Sequence, residues 1–119
     1  MKTAETLLNE TPELKDTPAH IEALELSAFD VSQELKALGE QISEAEETAT
    51  IEAHGKGTND QQRRAARKDI LRADETYNVK LIERTELERT RLRLTERAAR
   101  LRREYRLALL NIEASQQRQ

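Results

Sequence analysis

Arginine is the residue type in this sequence with the most chemistry to offer. Nine Arg lie within residues 84–106: Arg84, Arg89, Arg91, Arg93, Arg97, Arg100, Arg102, Arg103 and Arg106. A guanidinium is always charged and presents a planar fork of donors that matches a phosphate group. A second basic cluster, Arg63-Arg64-Ala65-Ala66-Arg67-Lys68, precedes the first. With Ile70 taken as heptad position a, Arg89 and Arg103 fall at f, Arg93 and Arg100 at c, and Arg106 at b, all positions that face away from an apolar seam. Between Arg89 and Arg106 that outer face carries five Arg against one acidic residue, Glu96. Such a face suits binding of a phosphate backbone without base specificity. Aromatic residues make up 3% of the chain, so a single strand would be held by charge more than by stacking. The same five Arg also fit a simply solvated face. Arg97 and Arg102 have a further option, pairing with Glu86 or Glu96 along the helix or with acidic residues of the first half of the chain.

No catalytic constellation accompanies these cations. His20 and His54 lie at opposite ends of one expected helix, on the order of 50 Å apart by helix rise. No Cys is present, and no ligand spacing of the H-E-x-x-H kind occurs. Carboxylate neighbours such as Glu46-Glu47 and Asp74-Glu75 fall on expected helix surface, with nothing to desolvate them and raise their pKa for acid–base work. Gly55-Lys56-Gly57-Thr58 superficially evokes a phosphate loop, but it lacks the preceding strand and the G-x-x-x-x-G-K-[ST] spacing. The expectation is a protein that is not an enzyme and has no cofactor and no metal.

The elements that must position the arginines follow from apolar spacing. Ile21, Leu24, Ala28, Val31, Leu35, Leu38, Ile42, Ala45 and Ala49 recur at alternating steps of three and four. Ala66, Ile70, Ala73, Tyr77, Leu87, Leu94, Ala98, Leu101, Tyr105, Ala108 and Ile112 continue the rhythm. This repeat predicts a coiled coil. Composition agrees, with 36% charged residues and no Trp. The first long helix is expected from about Pro18 to about His54, with Thr17 as N-cap and Pro18 at the first helical position. Gly39 inside it is either a close-approach point or a tolerated defect. Gly55 is placed to end it in the left-handed conformation. Thr58 with Gln61 then reads as a capping box opening a second helix from about Gln61 to about Ala114. Lys80, Arg84 and Arg91 interrupt that helix's seam. They either snorkel outward while Leu81 and Leu92 fill in, or they set register.

Two helices joined by a turn at 55–60 predict an all-α antiparallel hairpin over residues 18–119. Residues 1–17, with Pro12, are expected as an N-terminal appendage or short helix. If the turn sets the register, paired residue numbers sum to about 115, placing Leu38 opposite Tyr77 and Ile21 opposite Leu94. Ala98 to Ile112 would then have no partner in the first long helix, unless Leu7, Leu8 and Leu14 fold back over it. The end around Tyr105, Leu107, Leu109, Leu110 and Ile112 is apolar nearly all round, which predicts an oligomer interface. Charge is divided too. Residues 1–60 carry 14 acidic and 4 basic residues (net −10), and residues 61–119 carry 9 acidic and 16 basic (net +7). No apolar run approaches the ~20 residues that span a bilayer. Met1 to Leu14 has no signal-peptide pattern, so the cytoplasm is the expected location and no membrane association is expected.

An acidic amphipathic helix is thus followed by G-K-G-T, by R-R-A-A-R-K-D-I-L-R-A-D-E-T-Y at 63–77, and by E-L-E-R-T-R-L-R-L-T-E-R-A-A-R-L-R-R-E at 86–104. In layout and residue texture, residues 18–110 resemble the small all-helical phage proteins associated with recombination, similar to the UvsY-type recombination mediators. The resemblance implies a homo-oligomer, a ring, that binds single-stranded DNA in the cytoplasm of a bacterial host. It also implies help in exchanging a single-strand-binding protein for a recombinase. DNA contact would fall to Arg63, Arg64, Arg67, Lys68, Arg89, Arg93, Arg100, Arg103 and Arg106. The rival reading is an adaptor coiled coil or regulator that binds a protein partner without nucleic acid.

Overall fold

The structure, a computed structural model, describes Thr3, Thr6 and residues 14–118. Of the expected N-terminal appendage, Leu7 and Leu8 lie outside the described residues, whereas Leu14 is half-buried and its carbonyl accepts from Thr17 N–H (3.2 Å). The fold is an all-α helical hairpin. Its helices are α1 (Thr17–His54), α2 (Asp60–Ala73) and α3 (Glu75–Arg118), with no strand among the described residues. Two compact units can be separated. Met1–Asp30 with Thr90–Gln119 forms one, and Val31–Arg89 forms the other.

The first turn of α1 opens slightly earlier than expected. His20 N–H donates to the Asp16 carbonyl (2.9 Å), which puts the cap at Asp16 rather than Thr17. The nine seam residues of α1 are all buried or half-buried, and Ala53 extends the stripe by one more turn. Within Val31–Arg89 the core comprises Leu38, Ile42, Ala49 and Ala53, with Ile42 the most enclosed large side chain at 2% exposure. Half-buried Ala66, Ile70, Leu71, Tyr77, Leu81 and Leu87 stand along α2 and the start of α3. Ile42→Ala would leave a cavity costing about 2–5 kcal/mol. In the other unit, Ile21, Leu24 and Ala98 are buried, with Leu94, Leu101, Tyr105 and Ala108 half-buried beside them.

The turn departs from expectation in two respects. Gly55 does not take a positive φ. α1 instead ends in tightened i→i+3 turns, with Gly55 N–H to Glu52 O (3.3 Å) and Lys56 N–H to Ala53 O (3.0 Å), so no left-handed residue is needed. The capping box is also shifted by one residue. Asn59, not Thr58, is the N-cap of α2, and its side chain accepts from Gln62 N–H (2.9 Å). Gln62, not Gln61, reaches back, its Oε1 accepting from Thr58 N–H and Thr58 Oγ1 (both 2.8 Å).

The second limb is not one helix. Asp74 has extended backbone (φ −84°, ψ 100°) and separates α2 from α3. It serves both ends: its N–H bonds Leu71 O (3.2 Å), and its carboxylate accepts from Tyr77 N–H (3.0 Å). Asn78 Nδ2 satisfies the last carbonyls of α2, donating to Leu71 O, Arg72 O and Asp74 O at 3.2, 3.1 and 2.8 Å. A register counted from the turn through unbroken helix therefore does not hold past this point. Tyr77 bonds Glu46, eight residues nearer the turn than Leu38, its expected counterpart. In the other unit Arg102 bonds Glu25, so the segment around Arg102 has α1 as its partner, contrary to the expected lack of one. Along the seam, Ala73 turns outward and Asp74 inward. Leu81 is half-buried as expected beside Lys80 and Arg84, but Leu92 is exposed, as is Arg91, and half-buried Thr90 takes the seam position.

Glycine chemistry gives a direct check on the turn. A Cβ at Gly57 would stand 2.9 Å from Arg63 N and 2.9 Å from Gln62 Cβ, whereas at Gly55 the nearest atom is 3.8 Å away. Gly57→Ala is expected to cost about 1–3 kcal/mol. Gly55→Ala is expected to be neutral or to stabilise by about 0.4–1 kcal/mol, because it restricts the unfolded chain. Thermal melts of the two variants should therefore shift in different senses.

Candidate nucleic-acid interface

The basic residues fall into two groups with different occupations. Arg63 and Arg67 in α2 are held by the hairpin itself. Arg63 donates from Nε to Gly57 O (3.3 Å) and stands 3.9 Å from Asp60. Arg67 donates from Nε to Thr50 Oγ1 (2.9 Å) and from Nη2 to Glu46 Oε2 (3.4 Å). The other oxygen of Glu46 accepts from Tyr77 Oη (3.2 Å). One carboxylate thus ties α1 to both α2 and α3 within this unit. Partial burial raises the Tyr77 pKa above 10.0, and the neighbouring Glu46 charge and hydrogen bond raise it further. Arg64 and Lys68 are exposed on the same helix. A small open recess of about 320 Å³ lies beside them, lined by Thr50, His54, Arg63, Arg64 and Arg67.

The second group lies on α3. Arg93, Arg97, Arg100, Arg103 and Arg106 are all exposed, in the unit that contains Thr90–Gln119. Their spacings of three and four place Arg93, Arg97, Arg100 and Arg103 along one side of the helix. Together with Glu96 they line an open groove of about 640 Å³. A groove made by one helix cannot enclose a small ligand, but its charges can follow an extended polyanion. Arg93 Nη2 donates to Thr90 Oγ1 (3.4 Å), a neutral partner that leaves its charge uncompensated. Among the described residues, Arg97, Arg100, Arg103 and Arg106 enter no ion pair, and neither do Arg64, Lys68 and Arg89.

Sequence spacing therefore located the exposed positions Arg64, Lys68, Arg89, Arg93, Arg100, Arg103 and Arg106. It also named Arg63 and Arg67, which the structure commits to the turn and to Glu46. It left Arg97 out, assigning it to pairing, whereas Arg97 lines the groove. The pairing expected for Arg102 is present with Glu25. Of the expected oligomer interface, Leu107 and Leu110 are exposed, while Tyr105, Leu109 and Ile112 are half-buried. No helix among the described residues is long and apolar enough to cross a membrane. No family model, curated protein or solved structure matches the chain.

The Glu46 bridge carries a pH-dependent prediction. Protonated Tyr77 is the donor and its folded pKa is raised, so its stabilisation is complete below pH ~10 and is lost as pH rises through the folded pKa. Tyr77→Phe should cost about 0.5–1 kcal/mol at pH 8, modest because the pair is half-exposed. The gap between wild type and variant in urea melts should hold below pH ~10 and narrow as pH rises through the raised folded pKa of Tyr77.

Proposed function

We propose that the protein is a non-catalytic accessory protein that binds single-stranded nucleic acid through its phosphate backbone and works as a homo-oligomer. The observation that carries this reading is the set of exposed, uncompensated guanidinium groups on one side of α3. Unpaired surface Arg gain more from phosphate than from water, because each contact releases condensed counterions. Arg93, Arg97 and Arg100 form the proposed site, and Arg103 and Arg106 lie beyond it along α3. Arg64, Lys68 and Arg89 supply further positive charge, while Arg63 and Arg67 act by holding the hairpin. No cofactor is needed, since charge and spacing suffice. In the phage-recombination role implied by the resemblance, such an oligomer would hold a strand while a single-strand-binding protein gives way to a recombinase.

A second reading has support of its own. Arg67 and Arg102 are spent on α1 carboxylates, which is how an adaptor coiled coil would use its basic half. The two readings separate on the groove. Fluorescence anisotropy with a labelled single-stranded oligonucleotide at low salt should show binding that Arg93→Glu/Arg100→Glu weakens at least tenfold, with helical circular dichroism unchanged. Equal affinity of variant and wild type would transfer the role away from this face.

A further inference from the structure

Two apolar pairs in the unit formed by Met1–Asp30 and Thr90–Gln119 turn away from the seam. On α3, Leu107 and Leu110 are 60% and 52% exposed; on α1, Leu26 and Phe29 are each 59% exposed. Each pair has i,i+3 spacing, so its side chains form one continuous knob on the helix surface. The charges nearest the two pairs differ in sign, although exposed Glu104 and Glu113 also flank the α3 pair three positions away. Arg103 and Arg106 lie four positions before Leu107 and Leu110, both exposed and, among the described residues, outside any ion pair. Glu22 and Asp30 lie four positions either side of Leu26 and are likewise exposed and outside any ion pair.

We infer that the α3 knob (Leu107, Leu110, Arg103, Arg106) docks on the α1 knob (Leu26, Phe29, Glu22, Asp30) of a second copy of this chain, in a head-to-tail contact. The charge distribution selects this pairing over its symmetric rivals. Two α3 knobs packed in parallel would oppose Arg103 and Arg106 to their own copies, and packed antiparallel about Leu107 and Leu110 would set them against Ala114 and Asn111, with no carboxylate directly opposite; two α1 knobs would oppose carboxylates. Like charges in an interface being desolvated are strongly unfavourable. The head-to-tail contact instead matches each apolar pair with an apolar pair and each cation with an anion. A heterologous contact leaves both knobs unsatisfied at the ends of any open chain, so it propagates until a ring closes or a filament grows. The inference rests on the homo-oligomer part of the proposed function and is independent of nucleic acid.

Charge reversal on each side, measured without DNA, tests it. Arg103→Glu/Arg106→Glu and Glu22→Lys/Asp30→Lys should each lower the mass measured by light scattering at least twofold. A one-to-one mixture of the two variants should raise the mass again, because each reversed side then meets a complementary one and the two variants alternate. That rise also shows that both variants are folded. Retention of full mass by Glu22→Lys/Asp30→Lys alone would point to a symmetric α3 contact and overturn the inference. So would a mixture that stays small, or a monomeric wild type. DNA affinity plays no part in these outcomes, so the inference and the nucleic-acid reading can fail separately.

Discussion

A single apolar stripe holds this chain together, and its narrowness governs the rest. Side chains at steps of three and four cover one face of a helix, so a hairpin built on them buries little else. Ile42 and a few neighbours in one unit, and Ile21, Leu24 and Ala98 in the other, make up the buried core. Every other face meets solvent or a partner. Exposed Leu26, Phe29, Leu107 and Leu110, and the unpaired arginines of α3, follow from the same geometry. Among the described residues the buried side chains are all apolar, and the charged groups lie on the outer faces.

Polar groups do the locating that a thin core cannot. Glu46 receives Arg67 and Tyr77, and so fixes α2 and the start of α3 against one point on α1. Asp74 and Asn78 terminate one helix and start the next, with Asn78 donating to the Leu71, Arg72 and Asp74 carbonyls. Each such bond is worth only about 1 kcal/mol net, but it selects one register among several that an Ala-rich seam would tolerate. Arg63 and Arg67 illustrate the division of labour: they look like part of a basic patch yet serve the fold, while Arg93, Arg97 and Arg100 on α3 enter no ion pair among the described residues.

The fold class was legible in the sequence because the stripe is long and regular; nine consecutive seam positions of α1 fall where spacing puts them. The details that escaped involve competing local signals. Thr58-Asn59-Asp60-Gln61-Gln62 offers two adjacent N-cap candidates, and the cap falls on Asn59, with Gln62 reaching back to Thr58. Asp74-Glu75-Thr76-Tyr77 is a helix-start signature hidden inside an uninterrupted 3-4 rhythm, and overlooking it displaced the expected register of Tyr77. The Glu46–Arg67 pair was accessible, since both lie about equally far from the turn and carry opposite charge. The exposed arginine positions were readable from heptad phase. Arg97 was not, because the nearby Glu residues offered it partners that the structure does not use.

Whether the arginine side of α3 is a phosphate-binding surface is the central claim, and the salt dependence of single-strand affinity tests it most directly. If three to five guanidinium groups each displace a counterion, the logarithm of the association constant should fall linearly against that of salt concentration, with slope about −2 to −3.5. A slope near zero, or no binding to a single-stranded oligonucleotide at low ionic strength, would contradict the account.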